Sequence, residues 1–529
     1  MAVPVTTSEN HIVLAQKMFH PTPEMTKILG GNGSGNGHGA GSVLEASKKR
    51  ATPPPSASTP VSESRESRVT FQSRDGVELR GAPVRMTRHQ VIFELYSPAV
   101  VPQLSEASQK FEIILQGRTA YSGRAVVRNL VNAGTKTVCE VTLDETQWTD
   151  LNQILALQKE GQIVKEFKSF LKGWQKFYTV SPEYKLVVAD MQTFMQDLRS
   201  WLEQVELGIR ALDRGEQEKF EEKTTQEIAE VALPLIDALF EKFEEVAKDL
   251  PEEQKSAHAR YLRQHLHQLI LAAPLARRTF EKPLGYAGDY EMVNMILRNG
   301  YEGDSLFGKI IHHWFVQQPP ATAHRNRIKY LTERIELEAY RVARGGGTAR
   351  IFNFACGPAV EVQNFFRSSF SDKVELTLAD FNAETLEYVN QMLGKIRGLL
   401  RVQTAVHFQK KTVYQLLKEN LKAAGEKPQY DLVYCAGLFD YLPDTTCQQL
   451  MDVFYDMVAP GGLLVATNVE PSNPLRYGME HLLDWHLIYR REPELRAVRP
   501  SRAADDDVSV RTDATGVNLF IEVRKPAHD

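Results

Sequence analysis

Paired cysteines, long apolar runs and a marked excess of either charge are all missing from this 529-residue sequence. Its four cysteines form no Cys-x-x-Cys pair, so we expect no metal site and no disulfide framework. No stretch approaches the roughly 18 apolar residues that span a bilayer, and the N-terminus lacks a basic segment followed by an apolar run. A net charge of −4 gives no electrostatic reason to expect nucleic-acid binding. We therefore expect a soluble, cytoplasmic protein without stable membrane insertion.

The composition itself is that of a globular protein, with 42% hydrophobic and 25% charged residues. A prior of roughly 150 residues per domain predicts about three domains in a chain of this length. Residues 1–62 contain GGNGSGNGHGAGS and ATPPPSASTP, which cannot bury enough apolar surface to offset the entropy of ordering. We expect this segment to be a flexible tail.

Residues 63–146 change to short runs rich in β-branched and aromatic residues, among them QVIFELY, FEIILQG and KTVCEVTL. Alternating strands at this spacing predict a small antiparallel β-barrel. The segment resembles a PilZ-type barrel, and that resemblance implies cyclic di-GMP as a ligand. However, Arg65 and Arg68 are one residue closer than the R-x-x-x-R motif of that family, and its D/N-x-S-x-x-G motif is absent. These departures favour a barrel used for packing or protein contact.

Residues 147–282 are predicted to be helical. Stretches such as WLEQVELGIRALDRG and EIAEVALPLIDALFEKFEEVAKDL place apolar residues at i, i+3, i+4 and i+7. Pro182, Gly215 and the step 249–251 are the expected breaks between about four helices.

Residues 283–529 carry the motifs with chemical meaning. A predicted buried strand, 349–355, turns through Cys356-Gly357-Pro358-Ala359 into a helix, which is the nucleotide-binding unit of open α/β sheets. The next predicted strand, 374–379, ends in Asp380, roughly 20 residues beyond Gly357, where an acid can accept hydrogen bonds from a ribose. A dinucleotide-binding domain and a methyltransferase both fit at this point.

The later elements discriminate between these two interpretations. A fourth strand begins at Tyr430, a Pro-Gly-Gly turn at 460–462 leads into an apolar strand, and segments 508–511 and 517–523 predict a closing β-hairpin. In this order the motifs resemble class I S-adenosylmethionine-dependent methyltransferases over about residues 320–526. The predicted fold class is thus multi-domain α/β: a barrel, a helical region, and a Rossmann-like methyltransferase fold with an antiparallel hairpin. A dinucleotide oxidoreductase is disfavoured by the missing glycines and by the hairpin.

The resemblance implies cofactor-binding roles along the strand ends. The methionine part, ribose, adenine and sulfonium of S-adenosylmethionine would be contacted by Asn353, Ala355, Cys356, Gly357, Asp380, Phe381, Asn382, Thr412, Val413, Cys435, Ala436 and Gly437. Thr412 and Val413 are expected at the end of a third strand. The first motif departs from the family pattern, because asparagine replaces its acid and Ala355 and Ala359 replace two glycines. Alanine permits close backbone approach if its φ is negative. A signal-binding or scaffold protein with a degenerate methyltransferase fold remains the alternative.

Two segments are expected to build the substrate side. Segment 283–292 contains two glycines, two tyrosines and two acids, and 479–490 predicts a helix with His481, Trp485 and Tyr489 on one face. That face either lines a pocket or packs on the sheet. The candidate substrate contacts are Tyr290, Tyr441, Trp485 and Tyr489.

A closer resemblance concerns bacterial methyltransferases of extracellular-factor biosynthesis, which make 3-hydroxypalmitic acid methyl ester. It depends on the LGYAGDYE, LLDW and TGVNLF stretches, which begin at 284, 482 and 515. It implies O-methylation of a fatty-acid carboxylate, an acceptor that is already a nucleophile at neutral pH. A hydroxyl or amine acceptor would need a base, and the candidates are Tyr286, Asp289, His324 and His481. His324 could instead reach the cofactor carboxylate together with Arg325, or cap a helix.

Overall fold

The computed structural model describes residues 67–527, apart from residue 75 and the segments 96–101, 116–117, 133–136, 150–179 and 423–428. The predictions for the tail 1–62, for Arg65 and for the start of the helical region lie outside the described residues. Segment Ser64–Asp529 groups into one compact unit.

The N-terminal part of this unit is a closed antiparallel barrel, as predicted. Its strands follow the order β1-β2-β3-β6-β5-β4 around the barrel. They are β1 (Arg68–Gln72), β2 (Glu78–Met86), β3 (Gln90–Leu95), β4 (Ala107–Leu115), β5 (Arg118–Asn132) and β6 (Thr137–Leu143). In β6 every second side chain is fully or nearly buried, which is the pattern of a strand with one face toward the core. Phe71, Phe93 and Phe111 fill the interior.

Helices follow the barrel, and the prediction of a helical region is confirmed over its described part. They are α1 (Pro182–Arg210), α2 (Arg214–Lys248), α3 (Glu252–Ile270), α4 (Pro274–Glu281), α5 (Tyr290–Arg298), α6 (Leu306–Gln317) and α7 (Pro319–Arg344). Pro182 occupies the first turn of α1, where its missing N–H costs no hydrogen bond. Of the helices that the structure describes, none is long and apolar enough to cross a membrane.

A seven-stranded sheet forms the C-terminal part, with the strand order β12-β13-β11-β10-β7-β8-β9. Its strands are β7 (Ala349–Phe354), β8 (Val374–Asp380), β9 (Ala405–Lys410), β10 (Tyr430–Cys435), β11 (Val458–Val469), β12 (Val508–Thr512) and β13 (Asn518–Arg524). The helices are α8 (Val360–Phe365), α9 (Ala383–Leu400), α10 (Val413–Lys422), α11 (Asp444–Met457), α12 (Arg476–Leu482) and α13 (Glu492–Ala497). Strand β13 runs antiparallel to β11, so the predicted methyltransferase fold with its closing hairpin is confirmed.

The barrel is docked beside the carboxyl ends of the parallel strands. The Ala107 N–H donates to the Gly285 carbonyl at 2.7 Å, and the Thr142 hydroxyl donates to Asp484 at 2.8 Å. The Ser105 hydroxyl lies within hydrogen-bonding distance of both backbone groups of His486. These bonds tie the barrel to the two segments that the sequence assigned to the substrate side.

Two local predictions were wrong. The helix predicted over 479–490 is α12, which ends at Leu482, because Asp484 takes a left-handed φ of 52° that a right-handed helix cannot accommodate. Trp485 and Tyr489 therefore do not share a helical face with His481. Strand β9 ends at Lys410, and Val413 is the first residue of α10 rather than the end of a strand.

Candidate active site

A cavity of about 1320 Å³, counted with its opening to solvent, lies at the carboxyl ends of β7, β8 and β10. This is the edge of an open α/β sheet where ligands bind. The predicted site residues that line it are Tyr286, His324, Asn353, Ala355, Cys356, Gly357, Asp380, Phe381, Ala436, Gly437, Tyr441 and Trp485. Residues that lie far apart in the sequence, from Tyr286 to Trp485, therefore line one cavity.

The loop after β7 follows an unusual backbone path. Ala355, Gly357 and Ala359 have φ angles of 60°, 51° and 48°, so both alanines stand in the left-handed region. The negative φ that would have made alanine acceptable there is not observed. This conformation costs an alanine roughly 1–2 kcal/mol relative to the right-handed one, which the rest of the fold must offset. Alanine thus stands at two positions of this loop whose backbone glycine would adopt without strain.

Asp380 ends β8 and is held by backbone donors. Its Oδ2 accepts from the Gly357 N–H at 3.2 Å and its Oδ1 from the Asn382 N–H at 2.9 Å. Burial raises the pKa of this carboxyl to about 6, although the two N–H donors oppose that shift. An ionised carboxylate has about four acceptor sites, so Asp380 keeps capacity for a further donor in the cavity.

A buried carboxylate that the sequence did not reveal lies beneath this loop. Glu361 of α8 accepts from the Asn353 side chain at 3.1 Å and from the Tyr434 hydroxyl at 2.8 Å. Burial raises the pKa of Glu361. Asn353, which replaces the acid of the family motif, is thus the neutral partner of an acid supplied from the next helix.

Arg327 of α7 is a cavity residue that was also missed. A Cβ built on Gly437 would lie 2.9 Å from its Nη1, so the glycine leaves room for the guanidinium. Burial lowers the pKa of Arg327, and Asp440 and Glu361 oppose that shift. Arg325 is directed elsewhere, because it donates to the Val316 carbonyl at 2.7 Å. The available signal was helical spacing: Arg327 follows His324 by one turn.

His324 is neutral in the cavity wall. Its Nδ1 lies 2.8 Å from the Pro320 carbonyl, which only accepts, so Nδ1 carries the ring proton and Nε2 keeps its lone pair. Burial lowers the pKa of His324 to about 3, and the neighbouring Arg327 adds to this. Such an imidazole is a weak base.

Aromatic side chains form one part of the cavity wall. The Trp485 indole N–H donates to the Tyr441 hydroxyl at 3.0 Å, and a Cβ built on Gly288 would lie 3.0 Å from that same hydroxyl. Next to Tyr441, Asp440 accepts from the Val469 N–H at 2.7 Å, and burial raises the pKa of Asp440 to about 6.

The barrel supplies part of the cavity wall. The Arg74 guanidinium lies 4.0 Å from the centre of the Phe381 ring, which also contacts Tyr286 edge-on at 5.3 Å. Glu106 holds the backbone of Arg74 in place, since its carboxylate accepts from the Arg74 and Gln103 backbone N–H groups at 2.7 Å each. The Phe381 ring is therefore contacted both by Arg74 of the barrel and by Tyr286.

Four of the predicted catalytic and substrate residues do not line this cavity. Asp289 caps α5 and pairs with Arg278 at 2.8 Å. Tyr290 donates to Glu384 at 2.9 Å. The other two are His481, whose Nδ1 lies 3.0 Å from the Tyr184 hydroxyl, and Tyr489, whose ring stacks under Arg476.

Four predicted cofactor residues also lie off the cavity wall. Asn382 caps α9 by accepting from the Thr385 N–H at 3.0 Å, and Cys435 is buried in the sheet. Thr412 and Val413 line a neighbouring groove instead. Their cofactor roles remain predictions.

One family model and several solved structures are similar to this chain. Residues 283–479 match the family model described as "Putative methyltransferase". No curated protein matches the chain. Among solved structures, an exported-protein candidate from Bordetella parapertussis is 17% identical with a TM-score of 0.37, covering 53% of this chain and 100% of its own. Magnesium protoporphyrin IX methyltransferase from Synechocystis, crystallised with S-adenosylhomocysteine, is 12% identical with a TM-score of 0.30, covering 44% and 93%. An O-methyltransferase family protein from Burkholderia thailandensis is 12% identical with a TM-score of 0.30, covering 53% and 75%.

Proposed function

We propose that this protein transfers a methyl group from S-adenosylmethionine to a small molecule. The observation that carries the proposal is the cavity at the strand ends, into which Asp380 from β8 and Arg327 from α7 both reach. A carboxylate and a guanidinium that line one cavity are the groups that would recognise the ribose hydroxyls and the methionine carboxylate of that cofactor.

The residues present fit the cofactor in a definite order. Asp380 would accept from the ribose hydroxyls, Phe381 would contact the adenine under Arg74, and Arg327 would pair with the methionine carboxylate. The loop at Gly437 would lie beside the sulfonium, because it follows the strand next to β7. When bound, the cofactor supplies an electrophilic methyl group, and the protein aligns the acceptor and excludes water.

For the acceptor, we propose a carboxylate, and a fatty-acid carboxylate in particular. Burial raises the pKa of Tyr286 well above its ordinary value, and His324 is a weak base. Asp440 faces Arg327 and Arg490, whose charges favour its ionised form over a protonated one. A carboxylate acceptor needs no base. The apolar side chains of Met479, Trp485 and Leu487 on the same wall suit an acyl chain.

Cofactor binding is tested by calorimetric titration of the full chain with S-adenosylmethionine. We expect saturable heat in the wild type and a loss of affinity of about 100-fold in Asp380→Ala, since a buried charge-assisted acceptor is removed. Asp506→Ala removes an exposed aspartate and should bind as the wild type does. No heat with the wild type would reject the enzyme hypothesis and favour the scaffold alternative.

The acceptor is tested with methyl-labelled cofactor and a panel of free fatty acids, including 3-hydroxy acids. We expect base-labile label in the lipid extract, and less of it in Trp485→Ala, whose cofactor affinity should be unchanged. Label confined to protein or to amines would reject the ester proposal while leaving the methyltransferase proposal standing.

A further inference from the structure

A second cavity lies between the barrel, α3 and the segment 480–486. Counted with its opening to solvent it encloses about 1990 Å³. Its wall is rich in nitrogen-bearing side chains: four arginines and four histidines line it, and burial lowers the pKa of His267 to about 4 and that of His481 as well. These side chains are Arg124, Arg128, Arg260, Arg263, His89, His267, His481 and His486. They come from distant parts of the sequence, so no linear motif reveals the cluster.

The acids in this wall are mostly occupied. Asp144 caps the turn of helix at Glu145–Gln147, Glu480 pairs with Arg476 at 2.9 Å, and Glu281 is exposed to solvent. Asp484 is the buried acid among the cations.

Several cationic groups depend on Asp484 together. It lies 3.8 Å from an Arg263 nitrogen and 3.1 Å from the His486 ring, and these groups with Lys282 hold its pKa well below the ordinary value. Lys282, which donates to the Leu483 carbonyl behind the wall, has its pKa lowered by burial to about 7. Asp484 is thus shared by Arg263, His486 and Lys282, whereas Arg128 pairs with Glu140 and Glu252.

Two buried donors point to an occupant. Within the described part of the chain, Arg124 Nε and His481 Nε2 have no hydrogen-bond partner, although both are shielded from solvent. Arg124 directs another nitrogen to the Phe280 carbonyl, and His481 is 2% exposed. When the Tyr184 hydroxyl donates to Nδ1, 3.0 Å away, the His481 Nε2 carries the ring proton and is a donor. Unpaired buried donors cost free energy unless a ligand satisfies them.

We propose that this second cavity binds a small molecule through a phosphate group. A phosphate is a dianion near neutral pH, presents several acceptor oxygens, and matches the planar fork of arginine. It would pair with the arginines of this wall and accept from the unpaired donors. Arg68, which belongs to the barrel motif considered above, does not line this cavity.

The test uses inorganic phosphate and pyrophosphate as probes, titrated into the full chain at constant ionic strength and followed by calorimetry. S-adenosylhomocysteine is present throughout to occupy the first cavity. We expect saturable binding of at least one probe, and a sodium chloride titration at the same ionic strength should give none. Absence of saturable binding to the wild type overturns the proposal without any variant.

Three variants locate the site. Arg124→Gln and Arg263→Gln should each weaken binding about tenfold or more, because each removes a charge-assisted donor pair. Arg80→Gln, on an exposed barrel arginine, should leave affinity unchanged. Arg327→Gln, in the first cavity, should also leave it unchanged. If Arg327→Gln loses probe binding while Arg124→Gln and Arg263→Gln keep it, the anion binds in the first cavity and the proposal is overturned. If Arg124→Gln does not fold, Arg263→Gln alone decides between these outcomes.

Discussion

The candidate active site has two walls that are built in different ways. The strand-end wall consists of the β7 loop and the end of β8, where Gly357 and Asp380 contact each other within one βαβ unit. The covering wall comes from elsewhere in the chain: Arg327 from α7, Arg74 from the barrel and Trp485 from the segment after α12.

This difference separates what a local pattern can specify from what packing must supply. The strand-end wall tolerates two alanines in left-handed conformations, because the parallel strands on either side hold the path of the loop. The covering wall has no such local frame, and its charged groups are positioned by helix packing and by the docked barrel. We therefore expect substitutions in the covering wall to change the affinity for the cofactor or for the acceptor. Substitutions in the β7 loop should mainly change the free energy of unfolding.

The largest effect expected for the covering wall is a loss of cofactor affinity. Arg327→Gln should weaken S-adenosylmethionine binding about 30-fold, since a hydrogen bond to a charged group contributes roughly 1.5–3 kcal/mol. Calorimetric titration measures this. Lys329→Gln removes an exposed charge from the same helix and serves as the matched control. Equal affinities in the two variants would contradict a role for the covering wall in cofactor binding.

An intermediate effect is expected from pH acting on the strand-end wall. Burial raises the pKa of Asp380 to about 6. If its ionised form accepts the ribose hydroxyls, affinity is complete well above pH 6 and is lost as pH falls through that value. Because about a tenth of the groups remain ionised at pH 5, binding should be about tenfold weaker there than at pH 8.

The control for this profile is Asp380→Asn, which cannot titrate at position 380. Its weaker binding should vary little between pH 5 and pH 8. If Asp380→Asn keeps the full pH dependence, another acid is responsible for it. Asp440, whose pKa is also raised to about 6, would then be the next residue to substitute.

The smallest effect is expected in the β7 loop. Ala355→Gly and Ala359→Gly should each raise the free energy of unfolding by about 1 kcal/mol, because glycine adopts a positive φ without strain. Urea denaturation measures the change, and cofactor affinity should stay within about twofold. Ala238→Gly, in the exposed face of α2, should do the opposite and destabilise by roughly 0.5–1 kcal/mol. If the loop and helix variants change the free energy of unfolding in the same direction, the strain assigned to the loop is contradicted.

The sequence predicted the barrel, the closing hairpin of the sheet and the end of β8, because alternating apolar runs and turn residues are local signals. Asp380 and Gly437, which the sequence assigned to the cofactor, line the cavity at the strand ends, and their roles stay predictions. The sequence did not predict Arg327, Glu361 or Arg74, whose roles depend on which helix face and which barrel turn meet the sheet. The helix predicted over 479–490 failed for a related reason: docking against the barrel overrides a helical pattern at Asp484.

The three consecutive residues Asp484, Trp485 and His486 have a mechanical consequence. Trp485 lines the cavity at the strand ends, whereas its two neighbours line the cavity beside the barrel. Because neighbouring residues of one short strap line different cavities, a shift of this strap alters both cavities at once. Ligands that favour different positions of the strap would then be coupled, and each would change the affinity of the other by the same factor.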